Sequence, residues 1–445
     1  MMISFIRQLY LTSRLFVFAG LIIFLFILSY IFSFLFSLSI VLFIVYLLLL
    51  LIDILMMFRI SDGIVATRHT PEKFSNGDPN LIRLVLENRY PYQVKLEIID
   101  EVPYQFQWRD NTFHLDIVPQ AREELNYELR PVTRGEYHFG VLNVYASGPL
   151  GMIKRRYREA KAEMVPCYPS YIQMRTYQLM AISNRLSEIG VKPIRRLGHT
   201  TEFEQIKEYV RGDDYRTINW KATARARKLM VNQYTDERAQ HVYCLIDKSR
   251  VMKMPFEGMS LLDYAINASL VISNIALYKN DKAGLITFSE KVDAIVPADH
   301  RATQMFKIQE VLYNQQSRYL EAAYERLYVF VKRKLTHRSL LILFTNFESL
   351  TALRRQLSFL QQLARQHLLV VIFFENTALS TLLNSTPKNT EEIYIKTIGE
   401  HFAFEKKQIV HELKRHGIIS ILTPPQSLTV NALNKYLELK SRRMI

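Results

Sequence analysis

The first clear pattern is an apolar block. From Leu15 to Ile52 no charged residue occurs, and the run reads LFVFAGLIIFLFILSYIFSFLFSLSIVLFIVYLLLLLI. A single helix of that length would extend about 57 Å, well past a hydrocarbon core of ~30 Å. Two connected helices fit instead, with the turn expected near Ser37 and Ser39. A cleaved secretory signal is excluded, because its apolar region spans only ~7–15 residues and ends at a small-residue site. Beyond the block, residues 61–167 alternate with period two. Ile82, Leu84 and Leu86 share one face, as do Val94, Leu96 and Ile98, with Lys95 and Glu97 opposite; Phe113, Leu115 and Ile117 repeat the pattern. Turn signals such as SNGDPN and NRYPY separate these runs, so the region is expected to be a small β-sandwich of immunoglobulin-like kind. Residues 168–240 form a connector of mixed character. From 241 to 445 the pattern changes to apolar strands (HVYCLID, KAGLITFS, SLLILFTN, HLLVVIFFE, GIISILT) alternating with amphipathic helices. That alternation predicts an α/β domain with a doubly wound parallel sheet. Ser260 with Asp263 three residues later marks a helix start.

Charge adds an orientation. Arg7 and Arg14 precede the apolar block, Arg59 and Arg68 follow it, and the expected turn carries no charge. Both ends therefore belong on the cytoplasmic side. The anchor (residues 1–60) is expected to be a hairpin, and the protein a multi-pass inner-membrane protein with its soluble mass in the cytoplasm. The formal charge of +15 is uneven: Lys154 to Arg238 holds 18 basic against 10 acidic residues. A basic surface suits nucleic acid, anionic lipid or an acidic protein. Cys167 and Cys244 are the only cysteines, too few for a disulfide framework or a Cys-rich zinc site.

Candidate chemistry is sparse. Neither GxxxxGK[ST] nor GxGxxG occurs after a strand, and no GxSxG is present, which argues against nucleotide binding and serine hydrolysis. In HELKRH, His411 and His416 are five apart, one too many for two ligands on a helical face. The tip of the first α/β strand, Asp247-Lys248-Ser249-Arg250-Val251, lies where open parallel sheets bind ligands. It resembles the DxSxS cation site of von Willebrand factor A-type domains. Asp247 and Ser249 match, Val251 cannot ligate, Asn346 replaces a later aspartate, and Ser317 offers a distant hydroxyl. Mg²⁺ prefers an octahedral oxygen set, so the site is degenerate and no tightly held cofactor is expected.

The densest motif is RGDDYRTINWKATAR, Arg211 to Arg225. Arg211, Arg216 and Arg225 are expected to lock Asp213 and Asp214 through bidentate pairing. Gly212 permits a tight turn, and Trp220 is expected to pin the loop onto the α/β core. With Gly198, Glu202, Phe203, Tyr209, Ile218, Ala224 and Glu237 before Asp247 and Ser249, this run resembles the family called domain of unknown function 58. Asn219 stands where that pattern often carries aspartate. The resemblance implies a von Willebrand factor A-like cytoplasmic domain on a membrane hairpin, associated with MoxR-type AAA+ ATPases that act in chaperone-like or metal-insertion systems.

Three function classes follow. The first is a membrane-anchored interaction protein, not an enzyme, that recruits an ATPase through the Glu202–Arg225 signature. The second is a nucleic-acid binder using the basic connector, although no recognition helix or stacking motif accompanies the charge. The third is an enzyme with Asp213 or Asp214 as acid or base, which nearby arginines disfavour by keeping both ionised. A small-molecule substrate is not expected.

Overall fold

The structure is a computed structural model. It describes residues 6–445 except 33, 110, 161, 183–201, 211–212, 236–238, 318, 378, 380–382, 384–386, 388, 443 and 445, and it leaves the side chains of 202–204 and 233–235 undescribed. The chain divides into two compact units, Met1–Tyr168 and Pro169–Ile445.

In the first unit the apolar block forms two helices, α1 (Ser13–Ser29) and α2 (Phe34–Phe58). The turn lies at Tyr30–Phe32 and not at the expected serines. Ser39 is internal to α2, where its hydroxyl donates to the Leu35 carbonyl at 2.9 Å. A serine that back-bonds to its own helix need not break it. Phe26 meets Phe36 and Phe43 edge-on at 6.4 Å, and the Tyr46 hydroxyl reaches the Leu15 carbonyl, so α1 and α2 pack side by side.

The following strands are β2 (Ile64–His69), β3 (Phe74–Ser75), β4 (Asn80–Asn88), β5 (Val94–Asp100), β6 (Thr112–Ile117), β7 (Arg122–Leu129), β8 (Gly135–Phe139), β9 (Leu142–Ser147), β10 (Ile153–Glu159) and β11 (Glu163–Tyr168). A short strand ahead of the helices, β1 (Leu9–Leu11), pairs antiparallel with β10. Among the described residues the sheets run β1-β10-β9-β5-β6, β2-β4-β7 and β3-β11-β8. Ile82, Leu84, Leu86, Val94, Leu96 and Ile98 are buried in one shared core, as their alternation predicts. Strand β1 escapes sequence reading because three residues show no periodicity.

Charged groups inside this unit were invisible in the pattern. Arg68 Nη1 sits 2.6 Å from Asp100 Oδ1, the Tyr127 hydroxyl donates to Asp100 Oδ2, and the guanidinium lies over Phe139. The end of α2 is tied into the same core. Asp53 Oδ2 accepts the Met152 and Ile153 amides at 2.9 and 3.2 Å. Arg155 donates to the carbonyls of Met57, Ile60 and Ser61 and lies over Phe58 and Tyr157. The bond to Met57 satisfies a carbonyl that the helix end otherwise leaves unpaired, and those to Ile60 and Ser61 fix the chain just beyond it.

In the second unit, α3 (Tyr171–Ile182) packs on α5 (Leu261–Tyr278). Between them in sequence come β12 (Glu202–Glu208), α4 (Trp220–Ala226) and β13 (Met230–Thr235). The main sheet comprises β14 (His241–Asp247), β15 (Lys282–Phe288), β16 (Val292–Asp299), β17 (Leu340–Phe344), β18 (Leu368–Phe374) and β19 (Ile419–Thr423), ordered β16-β15-β14-β17-β18-β19. Five strands are parallel, and β16 is antiparallel to β15. The purely parallel expectation therefore fails at one edge. The turn between β15 and β16, closed by Ser289 N–H to the Lys291 carbonyl, is too short for a parallel crossover. The remaining helices are α6 (Gln304–Tyr313), α7 (Tyr324–Lys334), α8 (Leu350–Gln366), α9 (Thr390–Arg415) and α10 (Leu428–Ser441). One sheet face packs against α3, α5, α6 and α10, the other against α7, α8 and α9. Helix α5 is apolar enough to cross a membrane, yet it is buried within this unit. Ser260 caps it, accepting the Asp263 amide at 3.2 Å.

Candidate functional site

Two places carry the candidate residues, both in the second unit. The first is the tip of β14, where Asp247 is wholly buried. Its Oδ1 accepts the Ser249 amide at 2.8 Å, and its Oδ2 accepts the Thr345 hydroxyl at 2.7 Å. Thr345 in turn lies 2.6 Å from the Tyr324 hydroxyl. Burial pushes the Asp247 carboxyl above its ordinary range, against the pull of the Ser249, Thr345 and Tyr324 hydrogen bonds. Burial, and then Asp247 itself, pushes the Tyr324 phenol up as well.

The cationic groups nearby in sequence turn elsewhere. Lys248 Nζ pairs with Asp293 at 2.8 Å, both side chains nearly buried. Asn346 Oδ1 accepts from Lys406 Nζ at 2.7 Å, and the same ammonium donates to the Phe347 carbonyl. Burial lowers the Lys406 ammonium to about 8, with Glu348 opposing. Asp247 and Ser249 are thus brought together, while the Asn346 oxygen is engaged by a lysine. Ser317 Oγ makes no hydrogen bond among the described residues. No group of three or more His, Cys, Asp and Glu residues able to hold a metal exists among the described residues. Mg²⁺ favours several anionic or open oxygens, and this donor set does not fit it.

The second place is the hairpin of β12 and β13, paired antiparallel from Glu202↔Thr235 to Glu208↔Met230. Asp213 Oδ2 accepts the Val210 amide at 3.0 Å, and its Oδ1 meets Lys207 Nζ at 3.0 Å. Asp214 Oδ1 accepts the Arg216 amide at 2.9 Å, capping a 3-10 turn over Tyr215–Thr217. Asn219 then caps α4 by accepting the Ala222 amide at 3.0 Å, and its amide nitrogen donates to Asn232. Short Asp and Asn side chains are suited to such local backbone bonds. Both aspartates therefore shape the turn, and no described contact poises either for proton transfer.

Two expectations about this loop change, and one rests in part on residues outside the described set. Asp213 meets Lys207 of β12, six positions earlier in the chain, while its expected partner Arg211 lies outside the described residues. The Arg216 guanidinium lies over the Tyr215 ring at 5.7 Å, and Arg225 is an exposed residue of α4. Trp220 does not pin the loop to the core: it is 70% exposed, alongside Tyr215 at 69% and Val210 at 63%. The reason is geometric. Helix α4 has only seven residues, and the buried residue of this hairpin among the described ones is Val231 of β13. Tyr209 bonds through its amide to the Leu229 carbonyl. Glu202 and Phe203 lie on β12 with side chains outside the described set. Arg211, Gly212, Gly198 and Glu237 fall outside the described residues.

Residues 205–376 match the family described as Protein of unknown function DUF58. Uncharacterized protein YeaD of Bacillus subtilis (strain 168) is 30% identical over 127 residues, or 28% of this chain and 31% of YeaD. The chain's match thus spans about a third of that relative's length. Conserved hypothetical protein BatB from Bacteroides thetaiotaomicron is similar over 46% of this chain and 100% of its own, at 13% identity and a TM-score of 0.30. The CARDB domain of PF1109 from Pyrococcus furiosus covers 23% of this chain and 91% of its own, at 9% identity and a TM-score of 0.17. A PapD-like domain of human CEP192 covers 23% and 89%, at 16% identity and a TM-score of 0.17.

Proposed function

We propose, from the match of residues 205–376 to the family described as Protein of unknown function DUF58, a non-catalytic, membrane-tethered docking protein. In this reading α1 and α2 form a hairpin anchor in the cytoplasmic membrane. Its arginine flanks keep both ends, and the soluble units, in the cytoplasm. The second unit acts as a von Willebrand factor A-like platform whose β12–β13 hairpin receives a protein partner. A MoxR-type AAA+ ATPase is the partner the family resemblance implies.

The observation that carries the proposal is the outward display of Val210, Tyr215 and Trp220 beside Arg216 and Arg225. Exposed Trp, Tyr and Arg are the side chains that dominate protein interfaces. The aspartates of the same loop have structural partners, which favours docking over acid–base chemistry. Co-purification of the full chain from detergent-solubilised membranes tests the reading. An AAA+ ATPase should accompany the natural sequence and be lost with Trp220→Ala or Tyr215→Ala. Equal recovery of the ATPase with these variants, or none with the natural sequence, would sink it.

A further inference from the structure

A groove of about 920 Å³ opens on the first unit where β1 runs into α1. Its lining includes Tyr10, Arg14, Lys95, Asp116, Tyr145 and Lys154. The pleat explains the charge: Val94, Leu96 and Ile98 of β5 turn into the core, so Lys95 and Glu97 face outward. Lys154 pairs with Glu97 across the sheet. Among the described residues no ion pair forms to Arg14, Lys95 or Asp116, leaving two cations against one carboxylate. The loop Ser147-Gly148-Pro149-Leu150-Gly151 makes room for the guanidinium. Gly151 has φ +65°, and a Cβ there would lie 3.0 Å from Arg14 Nη1.

The position of the groove limits what enters it. Arg14 is the last charged residue before the apolar run of α1. Gly148, on the same lining, lies against Asp53 and Met57 near the end of α2. Both helices therefore leave the groove, which sets it at the water–lipid boundary if they form the proposed anchor. Tyr10 and Tyr145 meet edge-on at 5.1 Å, the residue type that favours that boundary. Leu11 on the lining and Phe16, Val17 and Phe18 farther along α1 are exposed, so apolar side chains lie open next to the cations in sequence.

We propose that this groove seats the phosphodiester headgroup of a membrane phospholipid, with Arg14 and Lys95 on the phosphate and the acyl chains along α1. Arginine suits the phosphate because its planar fork binds two oxygens at once. A groove of this size matches ordinary ligand sites. The inference rests on the anchoring half of the proposed function and is independent of any protein partner.

The test is native mass spectrometry of the full chain released from nanodiscs of phosphatidylethanolamine and phosphatidylglycerol, with alkaline carbonate extraction run in parallel. One phospholipid should remain per chain, and Arg14→Gln with Lys95→Gln should reduce its retention at least tenfold at an unchanged melting temperature. Arg14→Lys, which keeps the charge and loses the fork, should fall between the two. Retention unaffected by both glutamines, in a chain that resists carbonate, overturns the site and leaves the anchor standing. Extraction of the chain by carbonate overturns both. Displacement of the lipid by millimolar inorganic phosphate would make a soluble phosphate ester the occupant and overturn the lipid assignment.

Discussion

At the foot of α2, Arg155 donates to three carbonyls and lies over two rings, and its side chain is buried. In the hairpin turn, Arg216 lies over Tyr215 in the open, and Asp213 meets a partly exposed lysine. The two regions use the same residue types for different ends. Where the charge is buried, it bonds to several partners at once, because an unpaired buried ion costs several kcal/mol. Where the charge is exposed, its pairing contributes little, and its bonds bend the backbone so that apolar rings face outward. The first arrangement holds a helix end to the strands of the first unit. The second offers a surface.

The comparison breaks first at its most buried member. Arg68→Leu strands the Asp100 carboxylate beside Tyr127 and should cost about 3–5 kcal/mol, read by chemical denaturation of the detergent-solubilised chain. Arg68→Leu with Asp100→Leu should recover much of that loss; no recovery would mean the cluster is not a charge pair. Arg155→Lys keeps the charge but cannot serve Met57, Ile60 and Ser61 together, so a loss of about 1–3 kcal/mol is expected. A neutral result would show that Asp53, Tyr90 and Tyr92 hold the α2 end without it.

His367 extends the contrast to a buried base in the second unit. Burial holds its imidazole below the ordinary value. Between that lowered value and about 6.5 the unfolded chain binds a proton that the folded chain does not. Stability is therefore present above this window and falls as pH drops through it, by up to about 1.4 kcal/mol per pH unit. His241, also lowered by burial with Lys282 and His337 adding to it, acts with the same sign. Thermal melts from pH 7.5 to 5 should show a shallower slope in His367→Gln, and an identical slope would refute the assignment.

The exposed region should respond weakly in stability. Asp214→Ala removes a cap to the Arg216 amide and should cost about 1 kcal/mol. Trp220→Ala should change stability by less than about 0.5 kcal/mol while abolishing partner recovery. If Trp220→Ala unfolds the chain, the hairpin is packed in a way its exposure contradicts.

The sequence pattern marks the elements whose signal is repetitive. The apolar block, the alternating Ile82–Leu86 and Val94–Ile98 strands, and the five apolar α/β strands all state their own burial through periodicity. It failed where one residue or a short contact decides. The turn between α1 and α2 went to the serines, because a hydroxyl that bonds back into its own helix looks the same in sequence as one that ends it. Strand β1 is too short to show a period, and the direction of β16 is set by the short turn before it, which periodicity does not record. At the tip of β14 the residues of a cation site could be named, but the Lys406 ammonium on Asn346 comes from 60 positions away.

Sequence alone determined which segments seek apolar surroundings, which alternate, and where turns such as SNGDPN and NRYPY fall, because each of these depends on neighbours a few positions apart. Tertiary structure decided which charges are buried and with whom: Arg68 with Asp100, Arg155 with the end of α2, Lys406 with Asn346. It also decided that Trp220 faces outward. Those outcomes depend on distance through space, and local composition carries no record of it.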